Sequence, residues 1–100
     1  MKKHDRTQVL KYCAAKYIWW KTPDEALHYP ERIVAQVMEL GDYEDVQILT
    51  ELLGDPYLRL VLSHTEAGVF SPKSWVYWHY RLGLCRPGQE LPALPKRKLL

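Results

Sequence analysis

The sequence predicts an all-α fold: a compact bundle of four to five short helices, one domain with flexible basic tails. Three observations carry this reading. Proline and glycine stand where helices start and stop, apolar residues between them recur at helical spacing, and no segment alternates apolar and polar residues as a half-buried strand would. A chain of 100 residues is long enough for one modest core, and 47% apolar against 26% charged residues is a globular rather than a disordered composition.

Residues 1–6 read as a flexible tail. From about Thr7 to Trp20, Leu10, Cys13, Ala14 and Tyr17 share one helical face, although "YIWW" at the end of that stretch also suits extended chain. Thr22-Pro23-Asp24-Glu25 is a capping box with proline at the first helical position. Pro30-Glu31 opens the next helix, whose broad apolar face is Ile33, Val34, Val37 and Met38. Gly41 is expected to end it, because glycine tolerates the left-handed position that follows many helices. Asp42 caps another helix, with Val46, Leu49 and Leu53 as its stripe and Gly54 as its stop. Asp55-Pro56 opens a further one, bearing Tyr57, Leu58, Val61 and Leu62. Ser71-Pro72 opens the last, which closes near Gly83. The loops are short, so successive helices are expected to pack as neighbours. The helical domain spans 7–86. Residues 87–100, with three prolines and the basic cluster Lys96-Arg97-Lys98, read as a flexible C-terminal tail.

The last helix, "SPKSWVYWHYRLGL", divides on a wheel of ~100° per residue. Trp75, Trp78 and Leu82, flanked by His79, form a core face. Lys73, Tyr77, Tyr80, Arg81 and Leu84 lie opposite, mixing cations with aromatic rings. Tyrosine and arginine anchor many protein interfaces, and the same pair can meet nucleic acid, the cation at phosphate and the ring against a base. Packing against the first helix is the third use open to these rings.

A net charge of +2 conceals segregation. Residues 1–21 hold six Lys/Arg and one acid, 22–70 hold two Arg and ten acids, and 71–100 hold six Lys/Arg and one acid. The ends can cover the acidic middle in the fold, or the segregation can mark an interaction surface.

Several classes fall away. Cys13 and Cys85 are too few and too far apart for a disulfide scaffold and suggest free thiols in a reducing, cytoplasmic setting. No apolar run nears the ~20 residues of a membrane span, and no apolar signal core follows the basic N-terminus. The four histidines lack metal-ligand spacing, and there is no glycine-rich phosphate loop, so no metal or cofactor is expected. Arg59 and His64 match the Arg-x4-His pattern and so resemble the motif of HEPN ribonucleases, small helical proteins that cleave RNA as dimers. In such a pair the arginine steadies phosphate and the histidine moves a proton. With only two fixed positions the match is common by chance, and no catalytic residue is assigned. Lys73 and Ser74, at the start of the last helix, with Tyr77 and Arg81, would be the reading residues of a helix-turn-helix-like regulator of its own operon.

"ERIVAQVMELGDYEDVQILTELLG", then "LRLVL" and "FSPKSWVYWHYRLGL", resembles a family of short helical bacterial proteins of unassigned biochemistry. These are encoded beside nucleotidyltransferase-like toxins of the abortive-infection type. The marks are Gly41-Asp42, Glu44-Asp45-Val46, Gly54, Ser71-Pro72, Trp78 and Leu82-Gly83, with "YIWW" upstream; the likeness spans about Tyr17 to Arg86. The resemblance implies an antitoxin-like role, in which the protein binds the toxin of the adjacent gene and restrains it. The expected contact residues are Asp42, Glu44, Asp45 and Glu51, as an acidic helix surface facing a basic cleft, with Tyr77, Tyr80 and Arg81. Operator DNA is the other partner considered.

Overall fold

A computed structural model describes residues 5–95. Among them the chain forms six helices and no strand: α1 (Arg6–Tyr17), α2 (Pro23–Ala26), α3 (Pro30–Leu40), α4 (Tyr43–Leu53), α5 (Asp55–Ser63) and α6 (Pro72–Arg81). The count exceeds the expected four to five because the Thr22 capping box closes a separate single turn, α2. There the Glu25 amide donates to Thr22 Oγ1 at 3.2 Å, and the Thr22 hydroxyl donates to Glu25 Oε1 at 2.9 Å.

α3 is the centre. Ile33, Val34 and Val37 are fully shielded from solvent, and the helix touches α1, α2, α4 and α5. Leu10, Cys13, Ala14 and Tyr17 of α1, Leu49 of α4 and Leu58, Val61 and Leu62 of α5 close the core around it. The apolar faces read from the sequence are those that pack, although Tyr57 of α5 is only partly covered and α4 departs further. There Asp45 is buried beside Leu49, while Val46 and Leu53 are only partly covered. α1 stops at Tyr17, earlier than expected. Ile18 leaves helical geometry and turns its side chain into the core, so Trp19 and Trp20 fall in the following turn.

Two glycines end helices for different reasons. Gly54 has φ +83° and ψ 158°, a conformation almost confined to glycine. Gly41 does not take the expected left-handed position; its φ is −63°. What requires glycine there is space. A Cβ would meet the Val37 carbonyl oxygen at 2.4 Å and Val37 Cγ1 at 2.8 Å, because the chain turns tightly from α3 into α4.

α6 is fastened to this bundle at both ends and along its underside. Glu39 of α3 accepts hydrogen bonds from the Ser71 amide and hydroxyl at 3.0 and 3.3 Å. Trp78 Nε1 donates to the Met38 carbonyl at 2.9 Å, satisfying a group that the end of α3 leaves without a helical partner. Arg59 Nε donates to the Leu82 carbonyl at 3.0 Å, placing a cation at the negative end of α6. Residues 87–95 have no regular structure, yet they lie against the same helix. The Pro92 carbonyl accepts from Trp75 Nε1 at 2.8 Å, and Leu94 packs on the core. The expected N-terminal tail gives way to helix at Arg6, after the Asp5 cap. Its residues 1–4, and the basic cluster Lys96-Arg97-Lys98, lie outside the described residues. Among the described residues no helix is long and apolar enough to cross a membrane.

Candidate functional site

The residues expected to meet a partner separate into two groups. The first is the acidic start of α4. Asp42 caps this helix, its Oδ1 accepting from the Asp45 amide at 2.9 Å. Its Oδ2 accepts from Lys16 Nζ at 2.8 Å, and the same ammonium donates to Asp45 Oδ2, also at 2.8 Å. The Tyr17 hydroxyl donates to Asp45 Oδ2 at 2.6 Å and accepts from the Asp42 amide at 3.1 Å. Two carboxylates, an ammonium, a phenol and two backbone amides thus form a closed network joining α1 to α4.

The electrostatics follow from these contacts. The Lys16 hydrogen bond and the Asp45 amide hold the Asp42 carboxyl below the usual carboxylate range. Burial pushes Asp45 upward, but Lys16 and Tyr17 outweigh it and its carboxyl also lies low. Lys16 is correspondingly raised, chiefly by Asp42 and then Asp45. Burial, then the Asp45 carboxylate, raise the Tyr17 phenol. With 5% of its surface exposed, Asp45 belongs to this joint and presents nothing to a partner, which corrects its place in the expected acidic face. Asp42 remains exposed but is engaged by Lys16. Glu44 and Glu51 stay on the surface, as does Tyr43, which is 80% exposed.

The second group is the outer face of α6. Trp75, Trp78, His79 and Leu82 are buried, and Val76, Tyr77, Tyr80 and Leu84 are exposed, so the helix divides as its wheel does. The underside is rigidly specified. His79 Nδ1 donates to the Trp75 carbonyl at 2.7 Å, a bond that fixes the proton on Nδ1, and the two rings lie 4.3 Å apart. Tyr77 sets its ring edge-to-face on buried Trp78 at 5.2 Å while keeping 54% of its surface in solvent. Lys73, Arg81 and Arg86 meet no carboxylate among the described residues. Ser74 is half-buried, and its amide is taken by the Ser71 cap at 3.2 Å.

Arg59 and His64 do not form one site. Arg59 reaches the end of α6, whereas His64 faces Glu31 of α3, with Nδ1 at 3.1 Å from the carboxylate. Five positions on one helix turn the two side chains to different faces, and the ribonuclease-like pairing is not assembled. Both cysteines are free and buried, and burial pushes the Cys13 thiol up to about 11. The expectation also passed over Trp19 and Trp20, which stand exposed and edge-to-face at 5.3 Å. Their signal was present in "YIWW", where the fourfold aromatic and aliphatic run exceeds what one helical face can bury.

Fold and surface define a small all-α protein whose last helix offers a preorganised aromatic and cationic face. Comparison with protein-family models, curated proteins and solved structures gives no match.

Proposed function

We propose that this is an antitoxin-like binding protein, without catalysis of its own, that restrains a nucleotidyltransferase-type toxin encoded by the adjacent gene through protein–protein contact. The observation that supports this reading is the outer face of α6. Tyr77 and Tyr80 project from a helix whose underside is locked by Trp78, Glu39 and Arg59, so little side-chain or backbone order has to be gained on binding. Rigid tyrosines flanked by arginine are the anchors that dominate binding energy at protein interfaces. Asp42 and Asp45 are engaged within the chain, so the acidic part of the contact rests on Glu44 and Glu51.

Titration calorimetry against the adjacent gene's product tests this. Submicromolar association is expected, weakened ~100-fold by Tyr77→Ala combined with Arg81→Glu. Undiminished affinity in that variant would remove α6 from the contact, and absence of a complex would remove the function. One observation favours a second reading, a DNA-binding regulator: Lys73, Arg81 and Arg86 have no carboxylate to answer them among the described residues. Retardation of operator DNA that weakens steeply with salt and is lost in Lys73→Ala with Arg81→Ala is its expected signature.

A further inference from the structure

On the side of the molecule where α3 begins, a cleft of about 570 Å³ lies between α3, α5 and the first turn of α1. That falls in the ~300–1,000 Å³ range of small-ligand sites. No residue of α6 lines it. Its chemistry is mixed in a particular way. The Arg6 guanidinium lies 5.1 Å from the centre of the Tyr57 ring and has no carboxylate partner among the described residues. Arg32 is held by Glu66 at 3.1 Å, and His64 by Glu31 at 3.1 Å. Tyr29, half exposed, supplies a second ring, with Lys21 4.9 Å from its centre. Thr65 is also among the lining residues, and its hydroxyl, shielded from solvent, has no hydrogen-bond partner among the described residues.

Each part narrows the ligand. Two tyrosine rings take a planar aromatic group, and stacking of a base on such a ring is worth ~1–3 kcal/mol. Arg6, together with the His64 imidazole, takes an anion, its guanidinium having the fork geometry that suits phosphate. Glu31 and Glu66 repel a bare polyanion but accept hydrogen bonds from hydroxyl or amino groups. A purely apolar ligand would leave the Arg6 guanidinium unanswered. One chemical class answers the whole set. We propose that this cleft binds a nucleotide, with its base against Tyr57 or Tyr29, its phosphate at Arg6 and His64, and its sugar or base donors at Glu31 and Glu66.

A free nucleotide and the phosphorylated end of an oligonucleotide share this chemistry. The experiment is calorimetric titration of the folded protein with each of the four nucleoside 5′-monophosphates, the matching nucleosides and inorganic phosphate. At least one nucleotide is expected to bind saturably with one-to-one stoichiometry. Its nucleoside and phosphate alone should each bind ~10-fold more weakly or worse. Arg6→Ala and His64→Gln change exposed side chains, so both should keep the helical far-UV spectrum while weakening the nucleotide ~5–10-fold. Competition by a 5′-phosphorylated trinucleotide tells a chain end from a free nucleotide as the natural source. No saturable binding of any nucleotide at about 1 mM would overturn the proposal. So would phosphate binding as tightly as the nucleotide, or unchanged nucleotide affinity in the Arg6→Ala, His64→Gln double variant. Because α6 does not contribute to the cleft, these outcomes are independent of toxin binding.

Discussion

Replacing Asp45 by asparagine keeps an acceptor for the Tyr17 hydroxyl and removes the charge that Lys16 answers. Because the Lys16 ammonium is still partly solvated and retains Asp42, the loss is expected at about 1–2 kcal/mol, read as a lower urea midpoint with an unchanged slope. The same network sets the response to acid. Asp42 and Asp45 both titrate below their ordinary value of 3.8 in the folded state. The stability they give is therefore complete above that value and is lost as pH falls through the lower folded pKa values. Asp45→Asn should show a shallower acid limb. At alkaline pH Cys13 acts. Above about pH 9 the unfolded thiol releases its proton while the folded one keeps it, so stability declines until about pH 11. The fall is about 2–3 kcal/mol over that window, and Cys13→Ala should flatten it in denaturant titrations at successive pH values. Asp45 was legible only in part. Its neighbours Asp42 and Glu44 mark a helix start, where acids ordinarily face water. Yet Asp45 stands four residues before Leu49, on the same helical face, and that spacing is the sign of its burial. What the sequence does not show is that Lys16 and Tyr17 arrive opposite it, since that depends on how α1 crosses α4.

Among the elements, α6 was the most legible. Its bulky apolar residues Trp75, Trp78 and Leu82 fall three and four apart, a spacing that puts both tryptophans on one buried face. Trp75→Ala should cost about 3–5 kcal/mol, because it removes a ring that packs on Phe70 and His79 and holds Pro92. The helix ends were legible as positions but not always as mechanisms. Gly54→Ala is expected to cost about 1–3 kcal/mol through backbone strain alone, since the nearest atom to its Cβ is Pro56 Cδ at 3.7 Å. Gly41→Ala should cost a similar amount, about 1–3 kcal/mol, by a different route: the Cβ collides with Val37 although the backbone conformation is ordinary. Thermal unfolding of both variants, with glycine restored by reversion, measures the two costs. Local sequence reports that a helix stops at glycine. Whether torsion or crowding demands it depends on the direction in which the next helix leaves.

At the scale of the whole molecule the chain forms a slab of 42 × 38 × 19 Å, about two helices thick. A slab has little interior, and this explains why large side chains rather than close helix contacts attach α6. It also explains why the stretch after α6 is docked. The sequence gives no sign of this, because proline-rich chain without periodicity carries no packing signature. The nearest thing to a sign is that Trp75 needs an acceptor for its indole N–H, and the core face of a helix supplies none. The Pro92 carbonyl does so from outside regular structure. Truncation after Arg86 should therefore leave the helical far-UV signal intact, since 87–95 is not helical. It should lower stability by about 1–2 kcal/mol, or ~4–16 °C in melting temperature for a domain of this size. Tryptophan emission should shift to the red as Trp75 gains water. The decisive comparison is the double-mutant cycle with Trp75→Phe, which lacks the indole donor. If the Trp75–Pro92 contact carries the stabilisation, truncation of the Trp75→Phe protein costs measurably less than truncation of the parent. Equal costs in the two backgrounds would exclude that hydrogen bond and assign the effect to the rest of the removed segment, Leu94 on the core included.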